Sequence, residues 1–263
     1  KASSAIITST TKSGSNTWSG NAFFAYQDKG LVVLDTFQLA DRENNPDTFR
    51  KPDYRRQLMG MSIGGPLVQN KLFFFGSYEG NYQERSNRVN IVPPTGVPAI
   101  DSINFAQYNG DFGSPFRSSL FFGKLSYAMG SNSSMEFSLN TRAENDIRDF
   151  GGNNAFTTAT RFNNAVTTGL LKHSYFKGTW LNEALLTYQR YRYNPVATNP
   201  DQVNRFYGFG CCVQIGGNIS NQDFTQKRLS LRNDVTYAGL QMGGAHVLKA
   251  GINVDFSDYD ILK

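Results

Sequence analysis

The feature that most constrains this chain is a strict two-residue alternation of apolar and polar side chains, with no long apolar run anywhere. Such alternation puts two chemistries on the two faces of a strand. In His246 to Tyr259, Leu248, Ala250, Ile252, Val254 and Phe256 alternate with Lys249, Gly251, Asn253, Asp255 and Ser257. Arg228 to Tyr237 repeats the design: Leu229, Leu231, Val235 and Tyr237 share one face, and Arg228, Ser230, Arg232 and Asp234 share the other, with Asn233 interrupting the apolar side. Met135, Phe137 and Leu139 alternate with Glu136, Ser138, Asn140 and Arg142 in the same way. The longest apolar runs, such as Leu31 to Leu34 and Leu72 to Phe75, fall far short of the ~20 residues that a membrane helix needs.

Weaker alternation marks Trp18 to Gln27, Arg56 to Ile63, Leu72 to Tyr82, Ser118 to Ala128, Asn164 to Phe176 and Asn182 to Tyr193, giving about nine strands in all. Sidedness is ambiguous at Leu185-Leu186 and at Phe73-Phe74-Phe75. The connections alternate in length. Tight links fall near Pro66 to Lys71, Gly130 to Ser134, Lys177 to Leu181 and Ala238 to Ala245; long ones run from Asp28 to Asp53, Arg85 to Arg117, Glu144 to Arg161 and Asn194 to Thr225. All nine prolines are assigned to connections, Pro66 and Pro195 among them, because a ladder interior cannot use a residue without an N–H.

Hydrocarbon offers no hydrogen bonds, so a sheet in a bilayer must close on itself, face lipid with apolar side chains and confine irregular backbone to its rims. Strands of about 10 residues joined alternately by short periplasmic turns and long extracellular loops are the pattern of outer-membrane barrels. The expected fold is therefore all-β: an antiparallel up-and-down transmembrane β-barrel segment. Lipid-facing candidates are Leu229, Leu231, Val235, Leu248, Ile252, Val254 and Phe256; lumen-facing candidates are Arg228, Arg232, Asp234, Lys249, Asn253 and Asp255. Tyr188, Tyr191, Tyr193 and Tyr259 are candidates for an interfacial belt at the long-loop side.

Composition agrees with a β-rich wall: 25 Gly, 21 Phe and 13 Tyr with a mean hydropathy of -0.43. The net charge of +5 is scattered without blocks, which speaks for solvated faces and loops and against a nucleic-acid partner. His173 and His246 stand in or beside strands without a nucleophile motif, and read as pore-lining or rim residues. Asp149-Phe150-Gly151 and Gly208-x-Gly210 lack the surroundings that give such motifs meaning. The pairs Glu144/Asp146 and Asp255/Asp258 read as solvated charge. No enzyme, cofactor or metal site is expected. Cys211 and Cys212 are adjacent within a long connection assigned to the outside of the cell, where oxidation is permitted; a strained bond between them, a bond to a cysteine elsewhere and two thiols all stay open.

Two runs carry a family resemblance. Ile7-Thr8-Ser9-Thr10-Thr11-Lys12-Ser13-Gly14-Ser15-Asn16-Thr17-Trp18-Ser19-Gly20 resembles the passage from plug domain to barrel in TonB-dependent receptors of the Oar-like group, although Trp18-Ser19 replaces the aromatic-His pair expected before Gly20. Gly64-Gly65-Pro66-Leu67-Val68-Gln69-Asn70-Lys71, continuing through Leu72-Phe73-Phe74-Phe75-Gly76-Ser77-Tyr78-Glu79-Gly80, resembles their first periplasmic hairpin. The resemblance implies an importer in which a plug closes a barrel of about 22 strands and a TonB-type energising protein of the inner membrane opens it.

On that reading residues 1–16 end a plug, residues 17–263 begin a barrel in the outer membrane of a Gram-negative bacterium, and the long loops capture an unknown extracellular ligand. The chain is then a fragment, about two-fifths of the wall, whose first and last strands do not pair with each other, and Ala5 to Thr11 lie near the concave face. The alternatives are a passive porin or assembly barrel, and a soluble β-sheet protein binding glycans or nucleic acid. An upstream plug separates the importer from the porin, and partition into water without detergent favours the soluble protein.

Overall fold

The computed structural model describes residues 11–47, 49–93, 103–207 and 212–262. Nine strands form one continuous antiparallel path: β1 (Ser19–Asp28), β2 (Tyr54–Val68), β3 (Leu72–Val89), β5 (Phe116–Ala128), β6 (Ser133–Arg148), β7 (Thr160–Lys177), β8 (Trp180–Ala197), β11 (Asp223–Gln241) and β12 (Ala245–Leu262). Each pairs with its neighbours in that order, so β1 and β12 are the edges and do not pair with each other, as the fragment reading expects. These are the nine strands expected from alternation.

Four short links close hairpins at one end of the sheet. The tightest joins β7 to β8, where Lys177 pairs with Trp180 and Gly178 adopts φ 58°, a left-handed conformation that only glycine takes without steric cost. Between β2 and β3 the corresponding residue is Asn70, φ 57°. Its backbone N–H donates to Asn16 Oδ1 at 2.7 Å, and Asn16 Nδ2 donates back to its side chain at 2.6 Å. The segment that precedes β1 thus clamps the first short turn.

The ladders run well past the expected strand ends. β3, β7, β8 and β12 have 18 residues each and β11 has 19, because hydrogen-bonded hairpins continue beyond the apolar stretch into water, where neither face needs apolar residues and the alternation vanishes. Two prolines correct the assignment of all nine to connections. Pro66 lies in the last turn-side residues of β2 beside a bulge, paired with Phe73. Pro195 lies in β8 opposite Phe162; its carbonyl accepts from Gln222 N at 3.0 Å on the other side, so the missing N–H points away from β7 and that ladder loses nothing.

The long connections are built rather than irregular. The first carries helix α1 (Thr36–Asn44), started by a capping box in which Gln38 N donates to Asp35 Oδ1 at 2.8 Å and Asp35 N donates to Gln38 Oε1 at 3.2 Å. β4 (Gly110–Gly113) adds to the upper part of β3, and β9 (Val203–Phe206) pairs with β10 (Val213–Gly216). The core of buried apolar side chains sits here, joined by the sheet only at Val89, the last residue of β3: Val89, Ile91, Phe105, Phe150, Ala155, Ala159, Val213 and Ile215. Membrane strands have no interior to pack, since each face meets its own solvent; the loops, which stand in water, bury apolar surface as a soluble domain does.

Candidate functional site

Residues paired across an antiparallel ladder point to the same face, so the register assigns every strand. From β12 back to β1, one face carries Leu248, Ile252, Val254 and Phe256; Leu229, Leu231, Val235 and Tyr237; Leu186 and Tyr188; Leu171; Met135, Phe137 and Leu139; Phe121 and Leu125; Phe74 and Tyr78; Met59, Met61 and Ile63; and Phe24. The opposite face carries Arg228, Arg232, Asp234, Lys249, Asn253 and Asp255, with Glu183, Lys172, Glu136, Lys124, Glu79 and Asn81 further along. Every residue assigned to a face from sequence falls with its group. The two ambiguous runs resolve: Leu186 and Phe74 join the apolar face, Leu185, Phe73 and Phe75 the polar one.

Aromatic rows bound the apolar face at both ends. Toward the short turns stand Trp18, Tyr127, Tyr175, Trp180 and Tyr237, with the rings of Trp180 and Tyr237 4.5 Å apart; toward the long loops stand Tyr26, Tyr82, Tyr188 and Phe256. From Trp180 to Tyr188 the strand climbs about 27 Å at ~3.4 Å per residue, and a tilt of ~40° reduces that to a height of roughly 20 Å. The belt expected at Tyr188, Tyr191, Tyr193 and Tyr259 needs correction: Tyr191, Tyr193 and Tyr259 point to the polar face, because adjacent odd and even positions cannot share a side. His173 lies on the apolar side, hydrogen bonded to Ser133 Oγ at 2.9 Å beside a short turn, and His246 contacts Met242 O in the last one.

The polar face is laced with cross-strand ion pairs: Lys124–Glu136 at 3.2 Å, Lys172–Glu183 at 2.6 Å and Arg228–Asp255 at 2.8 Å. Of the four carboxylates expected to be solvated, Glu144, Asp146 and Asp255 are paired, while Asp258 stays exposed beside Lys227. Asp146, only 6% exposed, accepts from Arg85 and from Arg148, each at 2.6 Å, and Glu144 pairs with Arg142. On the other face the pairs Arg117–Glu84, Arg192–Asp223 and Lys227–Asp258 lie beyond the aromatic row, on the long-loop side.

Over that end of the sheet the connections lock together. Asn90 N donates to Gly152 O, Gly152 N to Arg88 O, Ala155 N to Gln214 O and Thr198 N to Ala159 O, all within 2.8–3.0 Å. Phe156 stacks on Phe112 and meets Phe150 edge-on, both at 4.9 Å. The Asp149-Phe150-Gly151 run is therefore loop structure whose central ring fills the cap. At the loop end of β3 the Arg88 guanidinium donates to both oxygens of Asp111 in β4, at 2.9 and 3.1 Å, and holds that carboxyl below its ordinary range. Lys29 is raised by the hydrogen bond it donates to Asp53 at 2.7 Å. Cys212 is half-buried just before β10; Cys211 and the Gly208-x-Gly210 run lie outside the described residues.

Beneath the cap, on the polar face, is a cavity of about 530 Å³ lined by Asn81, Gln83, Arg85, Asn87, Phe116, Asp146 and Arg148, among others. A second cavity of about 490 Å³ shares Asn81 and Phe116 and continues down the face past Ser118, Asn140 and Thr168. Sequence reasoning missed this site. The alternation Asn81, Gln83, Arg85, Asn87 is a period-two run that marks a strand face, but only Asn81 falls within the strand expected over Leu72 to Tyr82 and the other three lie past its expected end; nothing in the sequence brings Asp146 and Arg148 to it. The apolar face has its own hollow of about 720 Å³ between Trp18, Met61, Ile63, Phe74, Tyr78 and Phe121.

The segment before β1 lies on the polar side. Gly14 packs against the Gly64–Gly65 backbone, and Lys124 Nζ reaches Thr11 Oγ1 at 3.4 Å. Of the stretch expected there only Thr11 is described; residues 5–10 lie outside the described residues.

The family described as outer membrane beta barrel domain matches residues 10–102. No curated protein matches. Among solved structures, the outer membrane transporter YddB from Escherichia coli superposes with a TM-score of 0.65 over 94% of this chain at 8% identity. The chain spans 32% of the length of that transporter. With a register that keeps apolar and polar side chains on opposite faces through nine strands, these findings give the chain the fold of an outer-membrane β-barrel wall.

Proposed function

We propose that this wall belongs to a transporter of the energised, TonB-dependent kind, resembling the Oar-like group, with its apolar face in lipid and its polar face lining a lumen that a plug closes. Residues 1–16 then lead from plug to barrel. The partners are outer-membrane lipid, a TonB-type energising protein acting on a region outside this chain, and an extracellular ligand caught under the loop cap. The supporting observation is the course of residues 11–14: they run on the polar face, beside the short turns, against Gly64 and Gly65. A passive porin has no need of a chain segment entering the lumen from that side, and the backbone-to-backbone fit at Gly14 is that of a built junction.

The parent protein in planar bilayers provides the test. A plugged importer gives no steady ionic current until the plug is loosened by urea or removed, and ligand uptake by cells stops when the inner-membrane energising complex is deleted. A stable open conductance of the untreated protein, with uptake indifferent to that deletion, supports the passive porin instead.

A further inference from the structure

We propose that the cavity beneath the loop cap binds a neutral, hydroxyl-rich ligand, an oligosaccharide lying along β3. The inference rests on the transporter reading in taking the polar face as lumenal, and adds the class of substrate.

Asn81, Gln83, Arg85 and Asn87 project from one face of one strand into the cavity, about 6.8 Å apart at two residues per repeat. Their hydrogen-bonding capacity is partly spent. Asn81 Oδ1 accepts from Arg56 Nε at 3.2 Å and from Gln83 Nε2 at 3.1 Å. That leaves the Asn81 amide N–H groups and the Gln83 carbonyl unused, while the Asn87 amide makes no hydrogen bond among the described residues. Donors and acceptors therefore alternate along the strand, the arrangement that suits hydroxyls, which do both.

Charge narrows the class further. Asp146 is clamped between Arg85 and Arg148, and Asp149 is the remaining charged residue of the lining, so two positive and two negative groups balance. A carboxylate or an anionic ferric chelate entering here would give up its hydration to a site without a net countercharge, and a neutral polyol would not. The site is also held in advance of binding: Arg85 Nε donates to Ser114 O at 3.0 Å and Ser114 Oγ to Ile147 O at 2.7 Å, which ties β3 to the cap. The Phe116 ring, with the Arg85 guanidinium 5.5 Å from its centroid, stands between this cavity and the second one. Together the two spaces accept a chain of several rings better than a single sugar. A peptide of mixed sequence needs pockets for its apolar side chains, and the upper cavity, where β3 presents its comb, is lined mainly by polar groups.

The experiment is titration calorimetry of the purified parent protein with maltohexaose, cellohexaose, laminarihexaose, xylohexaose and mannohexaose, against hexagalacturonate, hexaglycine and an anionic ferric tricatecholate. At least one neutral hexasaccharide is expected to bind, and the double variant Gln83→Leu/Asn87→Leu to weaken it at least tenfold. Thr187→Val, on the same face but away from both cavities, should leave affinity within twofold. Heat-modifiable gel migration reports folding of each variant; should the double variant not fold, Asn87→Ala alone is expected to weaken binding severalfold. Binding of none of the neutral hexasaccharides, binding only of the charged or peptide probes, or saccharide binding indifferent to the cavity variants would overturn the proposal. The bilayer current of the same preparation separates the two readings: a closed wall without saccharide binding removes this inference alone, whereas a steadily open pore removes the importer.

Discussion

A Cβ added at Gly14 would meet Phe74 O at 2.2 Å and Gly65 O at 2.8 Å, backbone atoms that cannot turn aside. Gly14→Ala is expected to lift the entering segment off the wall, an overpacking cost of about 1–3 kcal/mol, seen as faster proteolysis before Trp18 with the barrel intact. Gly169 is the contrast, with open space where its Cβ would stand; Gly169→Ala should shift stability by no more than about 0.5 kcal/mol. Asp146 is a residue of the other kind, nearly buried and holding two arginines. Asp146→Asn leaves both guanidiniums without their counterion, at a cost of about 1–3 kcal/mol once their partial exposure is allowed for, measurable as a lower unfolding temperature of the cap.

At the level of elements, strands and their faces were legible wherever one side chain in two was apolar. β11 and β12 could be read residue by residue, since a bilayer on one side and water on the other leave every position a single choice. Legibility ended where that asymmetry ends. The upper part of β3, from Gln83 to Val89, reads as loop, and β4, β9 and β10 are too short and too mixed to show a period. Helix α1 did carry a readable sign, Asp35 followed by Gln38, but without an apolar stripe behind it. The cap core joins residues from three connections, a long-range fact that no local window contains. Phe150→Ala, which empties the centre of that core, is therefore expected to release the three connections together: protease sites within residues 90–115, 149–159 and 198–222 should open at the same rate, while independent loops would open singly. The attachment of β4 should respond to acid. The Asp111 pKa is depressed by Arg88, so its contribution is full above the ordinary carboxylate range and fades as pH falls through the lowered value; the protection factors of the amides at residues 110–113, with the intrinsic pH dependence of exchange divided out, should be flat from pH 8 to 5 and fall only in stronger acid.

For the molecule as a whole, the apolar face is a depth gauge. Ile252→Arg and Leu186→Arg, placed between the two aromatic rows, should cost roughly 2–4 kcal/mol, and Phe256→Arg, at the long-loop row, about 0–1 kcal/mol. Equal costs at the three positions would argue against a bilayer around this face. Cysteines placed at Leu248, Ile252 and Val254 should react with lipid-soluble reagents, and those at Lys249, Asn253 and Asp255 with aqueous ones. The cap adds a matter of timing. Its core combines Val89, at the end of the third strand, with Val213 and Ile215, which precede the eleventh. Val89 meets Gly110 and Gly152 from earlier connections, but the core around it is complete only when Val213 and Ile215 have been delivered. The cap is therefore expected to set fully only when the segment that carries β10 has joined it. A wall arrested before that segment should leave Val89 and Phe150 accessible from outside, so closure of the cap is an observable sign that this part of the wall has been assembled.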